Sequence, residues 1–168
     1  MEKPALLVSR CLLGDSCRYD GKSKPNAAVM KLAREFRLIP VCPEVDGGLS
    51  IPRPPAERVS EGVVNIEGRD VTDAYRRGAE HALALARRHG AVGAVLKLRS
   101  PACGKGQIYD GTFTGTLTDG DGVCAELLLQ NGIPVWGETE VTEDGCLPVH
   151  PFKREGGETL VHRFDSWC

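Results

Sequence analysis

Four short stretches of this chain, residues 5–9, 38–42, 91–98 and 133–136, are apolar without the alternation of a half-buried strand. Such runs belong in strands covered on both faces. Between them the apolar spacing is helical. Residues 26–36 carry Val29, Leu32, Ala33 and Phe36 on one side, with Pro25 as a candidate first-turn proline. Residues 72–89 carry Tyr75, Ala79, Ala82, Leu83 and Ala86 on one side. Thr72 is the expected N-cap there, Arg87, Arg88 and His89 suit the C-terminal dipole, and Gly90 closes the helix. Residues 121–130 predict a last helix, ended by Asn131-Gly132. Strands joined through helices cross over right-handedly into a mostly parallel sheet. The expected fold is therefore a single α/β domain, a Rossmann-like three-layer sandwich around four strands or slightly more. Pro43 should stop the second strand, residues 44–58 read as a loop rich in Gly and Pro, residues 63–66 as a small ribbon, and residues beyond 138 as a polar appendage with turns at Glu143-Asp144-Gly145 and Glu155-Gly156-Gly157.

In parallel sheets, ligands bind beyond the carboxyl ends of the strands. Three of the four expected strand ends carry a cysteine: Cys11, Cys42 and Cys103. They should converge in space. Cys17, Cys124, Cys146 and Cys168 bring the total to seven. An odd number, in a chain whose N-terminal apolar stretch is interrupted by Arg10, argues against a disulfide framework and for thiolate chemistry or metal ligation.

Charge narrows the partners. With 21 basic and 23 acidic side chains the net charge is -2, so bulk attraction to nucleic acid or an anionic membrane is not the main driver. No apolar run approaches the roughly 20 residues of a spanning helix. The expectation is a cytoplasmic protein with a small-molecule partner.

The chemistry sits at three loops. Cys11-Leu12-Leu13-Gly14 runs on to Cys17-Arg18-Tyr19-Asp20-Gly21; Cys42-Pro43-Glu44 runs on to Pro52-Arg53-Pro54; and Ser100-Pro101-Ala102-Cys103-Gly104 precedes Tyr109-Asp110-Gly111. A cysteine beside Gly or Pro, where backbone amides point outward, has a lowered thiol pKa and an accessible sulfur. Three thiolates from distant loops suit a metal that keeps one coordination position open, with Glu44 as the acid/base beside it. Any one of these cysteines alone reads equally well as buried packing. Cys17 is either a fourth ligand or a bystander, Cys124 reads as core beside Leu127 and Leu128, and Cys146 and Cys168 read as incidental or redox-sensitive rather than catalytic. Arg18 and Arg53 fit an anion site or a solvated surface. A zinc or cluster storage protein and a thiol oxidoreductase are the competing classes, the latter without a Cys-x-x-Cys pair.

Taken together, these loops with Val41 ahead of Cys42, Gly47-Gly48-Leu49, Asp70-Val71-Thr72 and Tyr109 through Phe113 resemble the DUF523 family. That family comprises small bacterial proteins and includes the thiouracil desulfidases. The resemblance runs from about Ala5 to Glu138, which makes residues 1–138 the DUF523-like domain and residues 139–168 a C-terminal extension packed on it. It implies an enzyme with a 4Fe-4S cluster held by Cys11, Cys42 and Cys103, the fourth iron free for the sulfur of a thiolated base, and Glu44 and Ser100 as catalytic groups. The implied reaction is a non-redox hydrolysis that releases sulfide from a thiolated heterocycle such as 2-thiouracil. The alternative is a non-enzymatic metal or cluster binder.

Overall fold

The computed structural model describes residues 2–148, with the backbone of residues 152–153 and 159–160, which pair antiparallel. The chain runs β1 (Ala5–Ser9), α1 (Ala27–Lys31), β2 (Arg37–Val41), α2 (Pro43–Asp46), β3 (Ala56–Val59), β4 (Gly62–Asn65), α3 (Thr72–His89), β5 (Gly93–Leu96), β6 (Gln107–Tyr109), β7 (Leu117–Asp119), α4 (Val123–Gln130) and β8 (Val135–Gly137). The central sheet has the order β2-β1-β5-β8, and every pair in it is parallel. The hairpins β3–β4 and β6–β7 stand apart from it as separate two-stranded sheets.

Pleating divides the sheet's residues between two cores. Leu7, Val41, Ala94, Leu96 and Val135 face the buried side of α3 and Ala125 and Leu128 of α4. Leu6, Val8, Val95 and Trp136 face Val29 and Leu32 from the α1 segment, together with Val141 and Leu147. Three layers result, as the uninterrupted apolar runs require. β2 departs from the sequence expectation: it is an edge strand with Arg37 and Pro40 exposed, a place where a residue without an N–H is tolerated. The stretch after residue 138 is not only polar. Val141 and Leu147 are buried, and the Trp136 indole donates to the Pro148 carbonyl at 2.9 Å. The turn expected at Glu155-Gly156-Gly157 lies outside the described residues.

The helix starts differ from the sequence reading in instructive ways. Asn26, not Pro25, starts α1, its side chain accepting from Val29 N at 3.1 Å. Thr72 is the first helical residue of α3 instead of its cap. Its hydroxyl receives Val63 N at 2.9 Å, while Asp70 accepts from Thr72 N at 2.9 Å; the Thr72 side chain first, and this N–H second, hold the Asp70 carboxyl below its ordinary range. Pro43, expected to stop a strand and open a loop, is N1 of the short helix α2. Among the described residues no helix is long and apolar enough to cross a membrane.

Two glycines set how closely α2 approaches α3. A Cβ on Gly78 would lie 1.7 Å from the Pro43 carbonyl oxygen, and one on Gly47 would lie 2.0 Å from that of Ala74. The backbones touch because both positions lack side chains. This contact seats α2, and with it Cys42 and Glu44, on the longest helix of the core.

Candidate active site

The parallel sheet delivers three chain turns to one end. After β1 the chain enters a 3-10 turn, Arg10–Leu13, which closes at Gly14 with φ +100° and places Cys11 at the sheet end. After β2, Cys42 is the N-cap of α2, and its N–H donates to Asp46 Oδ2 at 3.1 Å. After β5, the Ser100 hydroxyl oxygen accepts from the N–H groups of Ala102 and Cys103, each at 3.1 Å, which folds the loop tightly under Cys103. The three sulfurs reach one cavity of about 590 Å³, whose walls also include Cys17, Glu44 and Ser100.

Cys17, left open by the sequence as a fourth ligand or a bystander, joins the same lining because the loop folds back, with Cys17 N donating to Asp15 O at 2.9 Å and Lys24 N to Cys11 O at 2.9 Å. Its thiol is hydrogen-bonded to those of Cys11 and Cys42, and the Cys42 Sγ lies 3.8 Å from its carbonyl. Cys124 sits fully buried in the core, as its place beside Leu127 and Leu128 implied. Its thiol is pushed up to about 12 by burial. Cys146, read as incidental or redox-sensitive, is disulfide-bonded, while Cys11, Cys17, Cys42, Cys103 and Cys124 are free.

Three of the lining thiols, Cys17, Cys42 and Cys103, are shifted upward, opposite to the lowered values expected for exposed loop-end cysteines. The Cys17 thiol is shifted up by its bond with Cys11, partly opposed by the bond with Cys42, and then by burial. Cys42 is pushed far above the thiol range by the Cys17 bond and by burial. For Cys103, burial dominates, reinforced by Cys124 and opposed by a hydrogen bond with Ser9. Sulfur donors of this kind deprotonate when a cation arrives, so the pocket is chemically matched to a soft metal group and ill matched to water. Among the described residues no three His, Cys, Asp or Glu side chains are focused tightly enough for a single metal ion. The cysteines line one chamber, a soft donor set that fits an iron-sulfur group.

Glu44 lies in the same chamber and is held from three sides. Arg53 Nε donates to its Oε2 at 2.7 Å, Ser100 Oγ donates to its Oε1 at 3.3 Å, and the Tyr75 hydroxyl bonds to it as well. The Tyr75 hydroxyl is kept protonated by burial and by the Glu44 charge. Arg53 is buried, its side chain 5% exposed against 15% for Glu44, and its two terminal nitrogens donate to Ser50 O at 3.1 Å and Cys17 O at 2.9 Å. One guanidinium thus ties the carboxylate to the cysteine loop. Sequence reasoning left Arg53 between anion site and surface; its confinement between Pro52 and Pro54 was the available signal. Tyr75 was read as core alone, because its helical spacing hides the polar tip. At the mouth, Tyr19, Tyr109 and Phe113 line the opening.

Fold and site together define a class: a small parallel α/β domain whose strand-end loops gather buried thiols and a braced carboxylate in one chamber. The chain belongs to the 2-thiouracil desulfurase family, whose model matches residues 6–140. It is 40% identical over 148 residues to the uncharacterized protein YbbK of Bacillus subtilis (strain 168), covering 82% of this chain and 98% of that one. Among solved structures it resembles the 4Fe-4S-dependent thiouracil desulfidase TudS, with a TM-score of 0.78 and 47% identity over 84% of this chain and 93% of TudS.

Proposed function

We propose that this chain is a 4Fe-4S-dependent desulfidase that removes sulfur from a thiolated heterocycle such as 2-thiouracil by non-redox hydrolysis. The observation that carries the reading is the placement of Glu44, braced by Arg53 and Ser100, inside the chamber lined by the four thiols. Cys11, Cys42 and Cys103 would hold the cluster, since each follows a different strand of the sheet and all three line the chamber. When bound, the cluster would supply a soft, Lewis-acidic iron matched to a thiocarbonyl sulfur.

The residues of the chain do the rest. Arg53 fixes Oε2 of Glu44 and leaves Oε1 as the face that receives a water proton. That face is met by the Ser100 hydroxyl at 3.3 Å, a long bond that is readily exchanged. The Ser100 oxygen stays anchored by two backbone amides, so its proton can turn from Glu44 to a ring nitrogen or oxygen of the substrate without moving the loop. Glu44 then takes the proton of the attacking water and returns it to the departing sulfur or ring nitrogen. Water adds across carbon, the carbon–sulfur bond breaks, and the products are the oxo compound and sulfide, with no change in oxidation state. The measurement is sulfide release from 2-thiouracil by the anaerobically reconstituted protein. Glu44→Gln should keep the wild-type cluster spectrum and release sulfide about a hundredfold more slowly, the usual contribution of a general acid/base. Undiminished turnover in that variant removes Glu44 from the mechanism, and a wild-type protein that desulfurates no thioamide overturns the reading.

A further inference from the structure

The segment between β6 and β7, residues 110–116, forms part of the chamber wall through Phe113 and Gly115. Phe113 has φ +58°, in the left-handed region that a bulky side chain seldom adopts. The structure shows what holds it there. Glu57, on β3 and only 9% exposed, accepts with the single atom Oε1 from Gly111 N at 3.0 Å and Phe113 N at 3.1 Å. Gly111 is pressed on the same strand, since a Cβ there would lie 2.9 Å from Val59 Cγ2 and 3.0 Å from Arg58 O. On the outer side a hydroxyl ladder braces the turn: Thr112 Oγ1 donates to Asp110 Oδ1 at 2.5 Å, and Thr112, Thr114 and Thr116 follow one another at 2.6 and 2.8 Å. A buried carboxylate is therefore devoted to two backbone amides of a loop whose remaining function is to carry one ring into the chamber. Backbone strain maintained in this way clusters at functional sites.

Resting on the proposed desulfidase reading, we infer that Phe113 is the specificity-determining residue against which the planar ring of the thiolated base lies, with Glu57 as the positioning residue that holds it. Tyr109 and Tyr19, on the same lining, extend the aromatic surface. The cluster and Glu44 address the thiocarbonyl, a group that open-chain thioamides also carry. Selection for a heterocycle needs a flat apolar face, and the described lining supplies one here. A rigid wall gains more from stacking than a mobile one, because the ring's freedom is already lost before the ligand arrives.

The test is equilibrium dialysis of anaerobic holoprotein carrying Glu44→Gln, in which turnover is suppressed and the ligand survives, against 2-thiouracil and against thioacetamide, which has the thiocarbonyl without a ring; the Phe113 and Glu57 variants are made in that background. Phe113→Gly accepts the left-handed backbone and removes the ring; it should weaken 2-thiouracil binding by about tenfold to a hundredfold, the range of one base stacked on an aromatic side chain. Thioacetamide affinity and the cluster spectrum should stay unchanged, and Phe113→Tyr should restore 2-thiouracil binding. Glu57→Ala should weaken 2-thiouracil binding in the same direction, with no added loss when combined with Phe113→Gly. A Phe113→Gly affinity within twofold of its Glu44→Gln parent, or an equal loss for thioacetamide, overturns the inference. Additive losses in the double variant overturn the role of Glu57. The two readings fail separately: Phe113-dependent binding without sulfide release by the wild-type holoprotein sinks the activity and keeps the wall, whereas wild-type sulfide release with intact Phe113→Gly affinity does the reverse.

Discussion

Replacing Arg53 by Met should destabilise the protein more than any surface charge removal, because it strands a carboxylate in a closed site. Met is apolar and matches the Arg side chain as far as Nε, so the packing of the stem survives while the guanidinium is lost. Its removal takes a 2.7 Å charge-assisted bond from Glu44 and the donors from Ser50 O and Cys17 O. Breaking a buried pair by deleting one partner costs about 3–5 kcal/mol. Glu44 keeps 15% side-chain exposure, and the water this admits places the expected loss near the lower end, about 3 kcal/mol. For a chain of 168 residues that corresponds to a fall in Tm of about 6–12 °C. Urea unfolding followed by circular dichroism, on preparations of equal cluster content, gives the free energy, with an unchanged m value as the control for the denatured state. The decisive comparison is the same substitution in the Glu44→Gln background, where no charge is left to strand and the cost should fall by at least half. A loss below about 1 kcal/mol, or an equal loss in both backgrounds, would refute the claim that the pair is what Arg53 is for.

Two further outcomes follow from the geometry. Ser at Cys11, Cys42 or Cys103 should abolish the visible cluster absorption and bound iron, whereas Cys124→Ser and Cys17→Ser should retain both; iron lost from Cys17→Ser but kept by Cys103→Ser would shift the ligand set to Cys11, Cys17 and Cys42. Gly78→Ala places a methyl 1.7 Å from Pro43 O and must push α2 outward, so iron content and sulfide release should fall at least tenfold while the far-UV spectrum persists; full activity in a folded variant would show that the contact does not position the site.

The sheet was legible because its signal is collective. Strands covered on both faces need uninterrupted apolar runs, and the spacing between runs left room for helices on each side. That arithmetic placed Cys11, Cys42 and Cys103 at one end before any coordinate was known, and the chamber they line sits there. Pro43 misled because a proline can stop a strand and start a helix at one position, and only the Asp46 bond to Cys42 N distinguishes the two. Cys17 and Arg53 were ambiguous for a shared reason: their placement is made by irregular loops. No periodicity records that a loop doubles back, and a buried arginine has the same one-letter signature as a solvated one. The β6–β7 hairpin went unread because its strands have three residues each and no long alternating run.

What positions this chemistry is a core helix acting on a surface turn. On α3, Tyr75 and Gly78 lie three residues apart and so share a face, and that face meets α2. Gly78 lets the Pro43 carbonyl approach to a distance no side chain would permit, and Tyr75, one turn earlier, reaches the carboxylate of the residue that follows Pro43. The approach and the reach are therefore one device: the first brings the α2 backbone against α3, and the second fixes where its Glu44 points. Arg53 then closes the arrangement from the opposite loop by joining Glu44 to the Cys17 carbonyl. A general base that must meet a water within hydrogen-bond reach gains from such bracing, since misplacement by an ångström is enough to slow a reaction a hundredfold. The short helix α2 has only four residues and cannot be rigid by itself, so its precision is borrowed from α3, whose buried side chains belong to the main core.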